Sequence, residues 1–292
     1  VIERALKSAL PIIDYALIVD TGSTDGTQKI ISKFLEKHSI EFEVIEEPWK
    51  DFAHNRTSAL RHLRKRKDVK YGITLDADEI FEVPENFNKK QFLKNLKHDA
   101  YRVPCEFGNT EYFRYLIFRN STDWIYKGVV HEFLECESKV ASIGDNRDIK
   151  LKVFTDGNRS KDRDKYKKDA KILSEALEKE QDPFMKARYT FYTAQSYKDC
   201  GNNEKAIEYY FKRGELGYWS QEIFESYYSI AKIKRSMGAP MHEIIDGCLL
   251  AFRSTENRLE PIYEIVNLCR LSESYRLGYE IGKNYLNFPV PE

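Results

Sequence analysis

The chain has 292 residues, more than one compact core usually absorbs, so one large or two modest domains are expected. Lys+Arg and Asp+Glu both count 47, and the resulting net charge of zero argues against bulk electrostatic binding of nucleic acid or an anionic membrane surface. Hydrophobic residues make up 41%, with 19 Tyr and 17 Phe, which is enough for real cores and unlike a disordered chain.

Apolar runs such as 16–19 are far too short to span a bilayer, and Glu3, Arg4 and Lys7 interrupt any apolar leader at the start. The five cysteines (Cys105, Cys136, Cys200, Cys248, Cys269) are widely spaced and form no CxxC pair. That predicts reduced thiols in a cytosol-like compartment, not a disulfide framework or a zinc site. Asn-x-Ser/Thr sequons occur at Asn55, Asn120 and Asn158; a glycan on Asn55 would intrude on the site region described below, which favours a compartment without N-glycosylation.

Residues 1 to about 155 alternate strand-like and helix-like segments. A buried strand is predicted at 16–20, a helix at 27–38, a strand at 41–45, a helix at 53–66 and a strand at 71–76. Short apolar strands separated by helices imply βαβ units in a mainly parallel sheet. Strands at 101–104, 112–118 and 129–134 then follow without helices, which predicts an antiparallel extension at one sheet edge. The polar, glycine-containing stretch at 155–162 marks a boundary, giving domains of 1–158 and 159–292. Beyond it only helical patterns remain: 164–180, 183–200, 203–215, 221–237, 240–253 and 261–285. Phe191, Ala194 and Gly201 recur as Tyr228, Ala231 and Gly238, each shifted by 37, and Tyr228 to Tyr263 is a further 35. That period fits stacked helical hairpins near the tetratricopeptide length of about 34, with an irregular helical bundle as the alternative.

Four motifs bear chemistry. VDTGSTDGT at 19–27 ends a strand in a carboxylate, turns on two glycines and enters a helix, placing Asp20 and Asp25 at the carboxyl edge of the sheet. Asp25 could equally do no more than cap the helix. The turn has neither Gly-Lys-Ser/Thr nor GxGxxG, so it is no nucleotide loop of those types. LDADE at 75–79 reads as a strand ending in Asp-x-Asp, with Asp76 and Asp78 on one side. Two neighbouring carboxylates repel unless a cation lies between them, and Mg²⁺ or Mn²⁺ bridging to a diphosphate is the common solution. WIYKGVVHE at 124–132, preceded by Arg119, offers His131 as a metal ligand and Glu132 as a proton acceptor. WKDFAHNR at 49–56 introduces a helix on which Arg56 could face phosphates and Trp49 could wall a pocket, or both could be ordinary packing and surface residues.

These motifs in this order resemble the inverting glycosyltransferases of family 2, of GT-A fold, in a bacterial and viral subgroup, over essentially the whole chain. FYTAQSYKDCG, KAIEYYFKRGELGYW and RLEPIYEIVNLCR resemble the helical repeats that follow the catalytic domain there. The resemblance implies an α/β GT-A domain followed by an all-α tetratricopeptide-like domain. It implies that Asp20 and Asp25, with Gly22 and Ser23 of their turn, lie against the donor's base and ribose. Asp78 would be the direct metal ligand, Asp76 would lie nearer the ribose, and His131 would be a further ligand. Glu132 would be the base, with Glu79 as its rival. Relatives carry an additional strand before the helix matching 1–10, and its absence predicts a domain lacking its first strand, with donor binding and activity compromised.

The expected function is metal-dependent transfer of a sugar from a UDP-sugar or another nucleotide-diphosphate donor to an acceptor hydroxyl, with inversion. The expected cofactors are Mn²⁺ or Mg²⁺, and the expected partners are a nucleotide-sugar and a glycan or protein acceptor held by the repeats. No nucleic acid and no membrane span are expected, and the location would be the cytoplasm, the host's if the protein is viral. The rival from another class is a non-catalytic transferase-like platform for a peptide- or glycan-binding repeat array. A nucleotidyltransferase would need a glycine- and lysine-rich phosphate loop near the start.

Overall fold

The computed structural model describes residues 1–138, 141–255 and 258–288, apart from the Asn158 side chain. The chain divides into two units, 1–163 and 164–292. In the first, α1 (Ile2–Ala9) is followed by β1 (Tyr15–Asp20), α2 (Thr27–Lys37), β2 (Glu41–Glu46) and α3 (Phe52–Lys65). The order continues β3 (Tyr71–Ile73), β4 (Glu79–Glu82), α4 (Lys89–Asn95), β5 (Ala100–Phe107), β6 (Thr110–Arg119), β7 (Trp124–Lys127), β8 (Phe133–Cys136), β9 (Ile143–Asp145) and β10 (Lys150–Val153).

Strands β1 and β2 pair in parallel across α2, as the alternating pattern requires. Their apolar residues close over Leu6, Ile31 and Leu35, which α1 and α2 bury between them. The mainly parallel sheet stops there. β3 does not extend this pair; it lies antiparallel to β6 in a second sheet ordered β3-β6-β5-β10-β4, with β9 alongside β5. The β5–β6 hairpin thus occupies the middle of a mixed sheet and is not an edge extension. Gly72 shows why β3 goes there: a Cβ on it would stand 2.5 Å from the Phe118 ring of β6 and 2.8 Å from Leu63 of α3. Only a residue without a side chain lets helix and strand approach this closely. Val103, Cys105, Leu116, Ile117 and Leu151 form the core of the sheet.

The strand expected at 129–134 is also corrected. β7 and β8 form an antiparallel hairpin on either side of that segment, and residues 128–132 are its irregular connection. Gly128 (φ 107°) and His131 (φ 56°) both adopt left-handed backbone there, which ends the pairing. Two of the sequons are structural. Asn55 accepts from the Lys50 N–H and donates to the Pro48 carbonyl, while Asn120 donates to the carbonyls of Leu63, Arg66 and Val69 at the end of α3. Both asparagines are buried.

The second unit is all helix: α5 (Lys165–Lys179), α6 (Pro183–Asp199), α7 (Asn203–Glu215), α8 (Ser220–Ser236), α9 (Met241–Ser254), α10 (Glu260–Leu271) and α11 (Tyr275–Gly282). Each helix packs chiefly on the next. Asp182 caps α6 through the N–H groups of Phe184 and Met185, and Asn202 caps α7 through Lys205. The pattern at 261–285 is not one helix: it breaks after Leu271, where Glu273 takes φ 58°. The 37-residue recurrence is visible as structure. Ala194 and Ala231 are both fully buried on α6 and α8, and Gly201 and Gly238 both close those helices in left-handed backbone. It fails at the third step, where Tyr263 on α10 is 70% exposed. Among the described residues no helix is long and apolar enough to cross a membrane.

Because these helices bury their faces on one another, a fragment of 164–292 is expected to fold alone with an all-helical circular dichroism spectrum. A spectrum dominated by coil would show that the helices need the first unit.

Candidate active site

The turn after β1 is built on Asp20. Its Oδ1 accepts the N–H groups of Gly22 and Ser23 at 2.8 and 2.7 Å, while Gly22 takes the positive φ of 109° that bends the chain back. Burial would raise the Asp20 pKa, but the donors of Ser23 and Gly22 outweigh it and hold this carboxyl below the usual aspartate range. Asp25 is exposed and accepts both the N–H and the hydroxyl of Thr27 at the start of α2, so in this structure it serves the helix terminus. Glu47 links this turn to α3: its N–H donates to the Asp20 carbonyl, and its carboxylate takes the Ser58 hydroxyl and pairs with His62.

The Asp-x-Asp motif does not end a strand. β3 stops at Ile73, and Asp76 to Asp78 turn into β4, so strand alternation does not set their directions. The turn is closed reciprocally: the Glu79 N–H donates to the Asp76 carbonyl and the Asp76 N–H to Glu79 Oε2. Glu79 is 2% exposed and paired with Arg114 on β6. Asp76 Oδ2 accepts from Arg56 Nη2 at 2.7 Å. Burial works against ionisation of Asp76, but Arg56 prevails and its pKa is lowered.

Arg56 also reaches Glu132. Its Nε lies 2.7 Å from Glu132 Oε1, a charge contact in which the N–H does not point along a hydrogen bond. One guanidinium therefore joins the Asp-x-Asp turn to the β7–β8 connection, backed by the Tyr126 ring 5.6 Å away. The sequence left Arg56 either facing phosphates or as an ordinary surface residue; in this structure it spans two carboxylates. The backbone at His131 and Glu132 departs from regular strand alternation, and His131 is exposed.

Asp78 differs from its neighbours. Among the described residues no side chain hydrogen-bonds or ion-pairs with its carboxylate, and burial, with Asp76 and Asp156 nearby, raises its pKa. The segment following β10 lies against it: the Phe154 N–H donates to the Asp78 carbonyl, and a Cβ on Gly157 would collide with the Asp78 carboxylate. Arg4 of α1 fixes this segment by two 2.8 Å bonds to Asp156 and by stacking on Phe154. Nothing in the motifs pointed to Arg4, Asp156 or Gly157, because they meet Asp78 only through the packing of α1 and β10 on β4. Trp49 is half exposed and edge-on to Phe52, whose ring also faces the Arg159 guanidinium. Among the described residues no three His, Cys, Asp or Glu side chains converge on a cation position. The donor set suits a cation that takes one or two carboxylates and completes its shell with substrate phosphates and water, as Mg²⁺ and Mn²⁺ do.

A parallel βαβ pair carrying an Asx-turn and a mixed sheet with a carboxylate turn between β3 and β4 define a GT-A-like domain followed by an all-helical unit. Residues 1–120 match the family model described as Glycosyl transferase family 2, and the protein is a glycosyltransferase. No curated protein matches the chain. Among solved structures it is similar to S. aureus TarS 1–349, at 12% identity and a TM-score of 0.35, over 99% of this chain and 89% of that one.

Proposed function

We propose that the first unit transfers a sugar, with inversion, from a nucleotide-diphosphate donor such as a UDP-sugar to an acceptor hydroxyl, and requires Mn²⁺ or Mg²⁺. The observation that carries this reading is the Asp78 carboxylate: Arg56 neutralises Asp76 and Arg114 neutralises Glu79, while among the described residues no cation pairs with Asp78. When bound, the cation offsets charge on the leaving diphosphate. Asp78 holds it, and His131 is the candidate for a further ligand. Asp20, Gly22 and Ser23 shape the turn that receives the nucleoside, with Asp25 and Asp76 nearer its ribose. Glu132 removes the acceptor proton, and Arg56 holds its carboxylate in place. Glu79 suits the role of base less well, being buried and already bound to Arg114. The second unit reads as a tetratricopeptide-like array beginning near 159, and the buried Ala194/Ala231 pair and the left-handed Gly201/Gly238 pair support that reading.

Asp78→Asn tests it. The variant should keep its fold and lose the Mn²⁺-dependent part of UDP-sugar binding in calorimetry. Because the Asp78 pKa is raised, protons should displace the cation at a pH above the usual aspartate range, and parent affinity should climb as pH rises through that point. Equal donor affinity with and without Mn²⁺ in the parent protein would defeat the proposal.

A further inference from the structure

Between α7 and α8 the helical unit sustains two costs at one loop. Gly217 (φ 74°) and Tyr218 (φ 66°) adopt consecutive left-handed conformations, and for a bulky side chain such as tyrosine that is a strained state. Beneath them lies Arg213, a fully buried guanidinium paired with buried Glu222. Arg213 Nη1 donates to the Gly217 carbonyl at 2.8 Å, and Nη2 points at the Trp219 carbonyl at 3.5 Å. A buried cation is thus directed at the backbone of a loop whose own side chains face away from the core.

What the loop presents is aromatic. Tyr218 is 56% and Trp219 59% exposed, and Phe184 at the start of α6 meets the Tyr218 ring edge-on with centroids 6.1 Å apart. Strain and a buried charge would not be needed to keep two large rings in the core; here they keep them out of it. Close by in sequence, Glu215 accepts the Tyr227 hydroxyl and Asp182 caps α6. The result is a small aromatic ledge.

We propose that Phe184, Tyr218 and Trp219 form a carbohydrate-binding ledge that stacks on the sugar rings of the acceptor glycan, an inference that rests on the reading of the protein as a glycosyltransferase. The electron-rich faces of aromatic rings attract the weakly positive C–H groups on the flat side of a pyranose, and no charge is needed on either partner. Size argues against a protein partner. Three half-exposed rings offer roughly 300 Å², well under the roughly 800 Å² per side of a standard protein interface. That area does match one or two sugar units.

Native affinity electrophoresis of the full chain through gels containing dextran, laminarin, pullulan or galactomannan tests the ledge. The parent should be retarded by at least one of these glucans or mannans. Trp219→Ala should bind about tenfold more weakly, and Trp219→Phe, which keeps a ring, should bind nearly as the parent does. Mn²⁺-dependent hydrolysis of a UDP-sugar, measured on the same proteins, should be equal in parent and Trp219→Ala. Retardation by none of the polymers, or equal retardation of Trp219→Ala, overturns the ledge even if hydrolysis is intact. Retardation lost in Trp219→Ala supports it even if the parent proves unable to hydrolyse any donor, the result that would count against the transferase reading alone. A dimer in light scattering that Trp219→Ala dissolves, or co-flotation with neutral phosphatidylcholine vesicles that the variant loses, would assign the rings to a protein or lipid contact and overturn the proposal.

Discussion

Glu132→Gln is expected to lower sugar transfer on the order of 10²–10⁴-fold while donor affinity stays close to that of the parent. The substitution preserves shape while removing the charge that faces Arg56, and the hydrogen bond from Arg56 to Asp76 should persist. The loss should appear in kcat, not KM, because the acceptor proton moves only as the transition state forms. Glu79→Gln is the control. It disturbs a buried pair with Arg114 and the closure of the Asp76 turn, so its effect should be on stability and donor binding together. Steady-state rates with a saturating donor separate the two. A Glu132→Gln enzyme with parental kcat would move the base elsewhere.

The largest stability effect is expected at Arg213→Ala. The wild-type guanidinium is wholly buried, with Nε and Nη2 at 3.2 and 3.0 Å from Glu222 Oε2. Truncation leaves the buried Glu222 charge without its partner and the Gly217 carbonyl without its donor. Removing one member of such a pair typically costs about 3–5 kcal/mol, a large share of the roughly 5–15 kcal/mol that holds a domain folded. Arg213→Met combined with Glu222→Leu removes both charges at similar volume and should recover most of the loss. Urea denaturation of the three proteins measures this. A loss under about 1 kcal/mol for Arg213→Ala would mean that water reaches Glu222 readily and the pair is not truly desolvated.

Local grammar carried much of this structure into the sequence. Helices α5 to α9 lie within a residue or two of their apolar patterns because a helix whose partner is the next helix is specified by its own periodicity and caps. The βαβ unit at β1 and β2 was legible for the same reason. The placement of β3 was not: its antiparallel partner β6 lies some forty residues on, and the cue is one glycine facing one phenylalanine. In the site, the carboxylates Asp20, Asp76, Asp78 and Glu132 stood out by type and spacing, but the charge states of Asp76 and Asp78 did not. Those depend on Arg56 and Arg114, which arrive from a helix and a distant strand, and on Asp156, which belongs to a segment with no motif. Spacing can reveal which groups a turn gathers; it cannot reveal which of them a cation from elsewhere in the fold has already neutralised.

The helical unit's habit of packing each helix chiefly on its neighbour bears on how it comes apart. Such an array opens like a zipper, and its free-energy profile falls toward the ends. Amide protons in α10 and α11 should exchange long before those in α7 and α8, where the Arg213–Glu222 pair ties two neighbours together. Damage to the terminal helices should stay local. Damage to α8, which packs on α7 and α9 alike, should split the unit into two halves that melt separately.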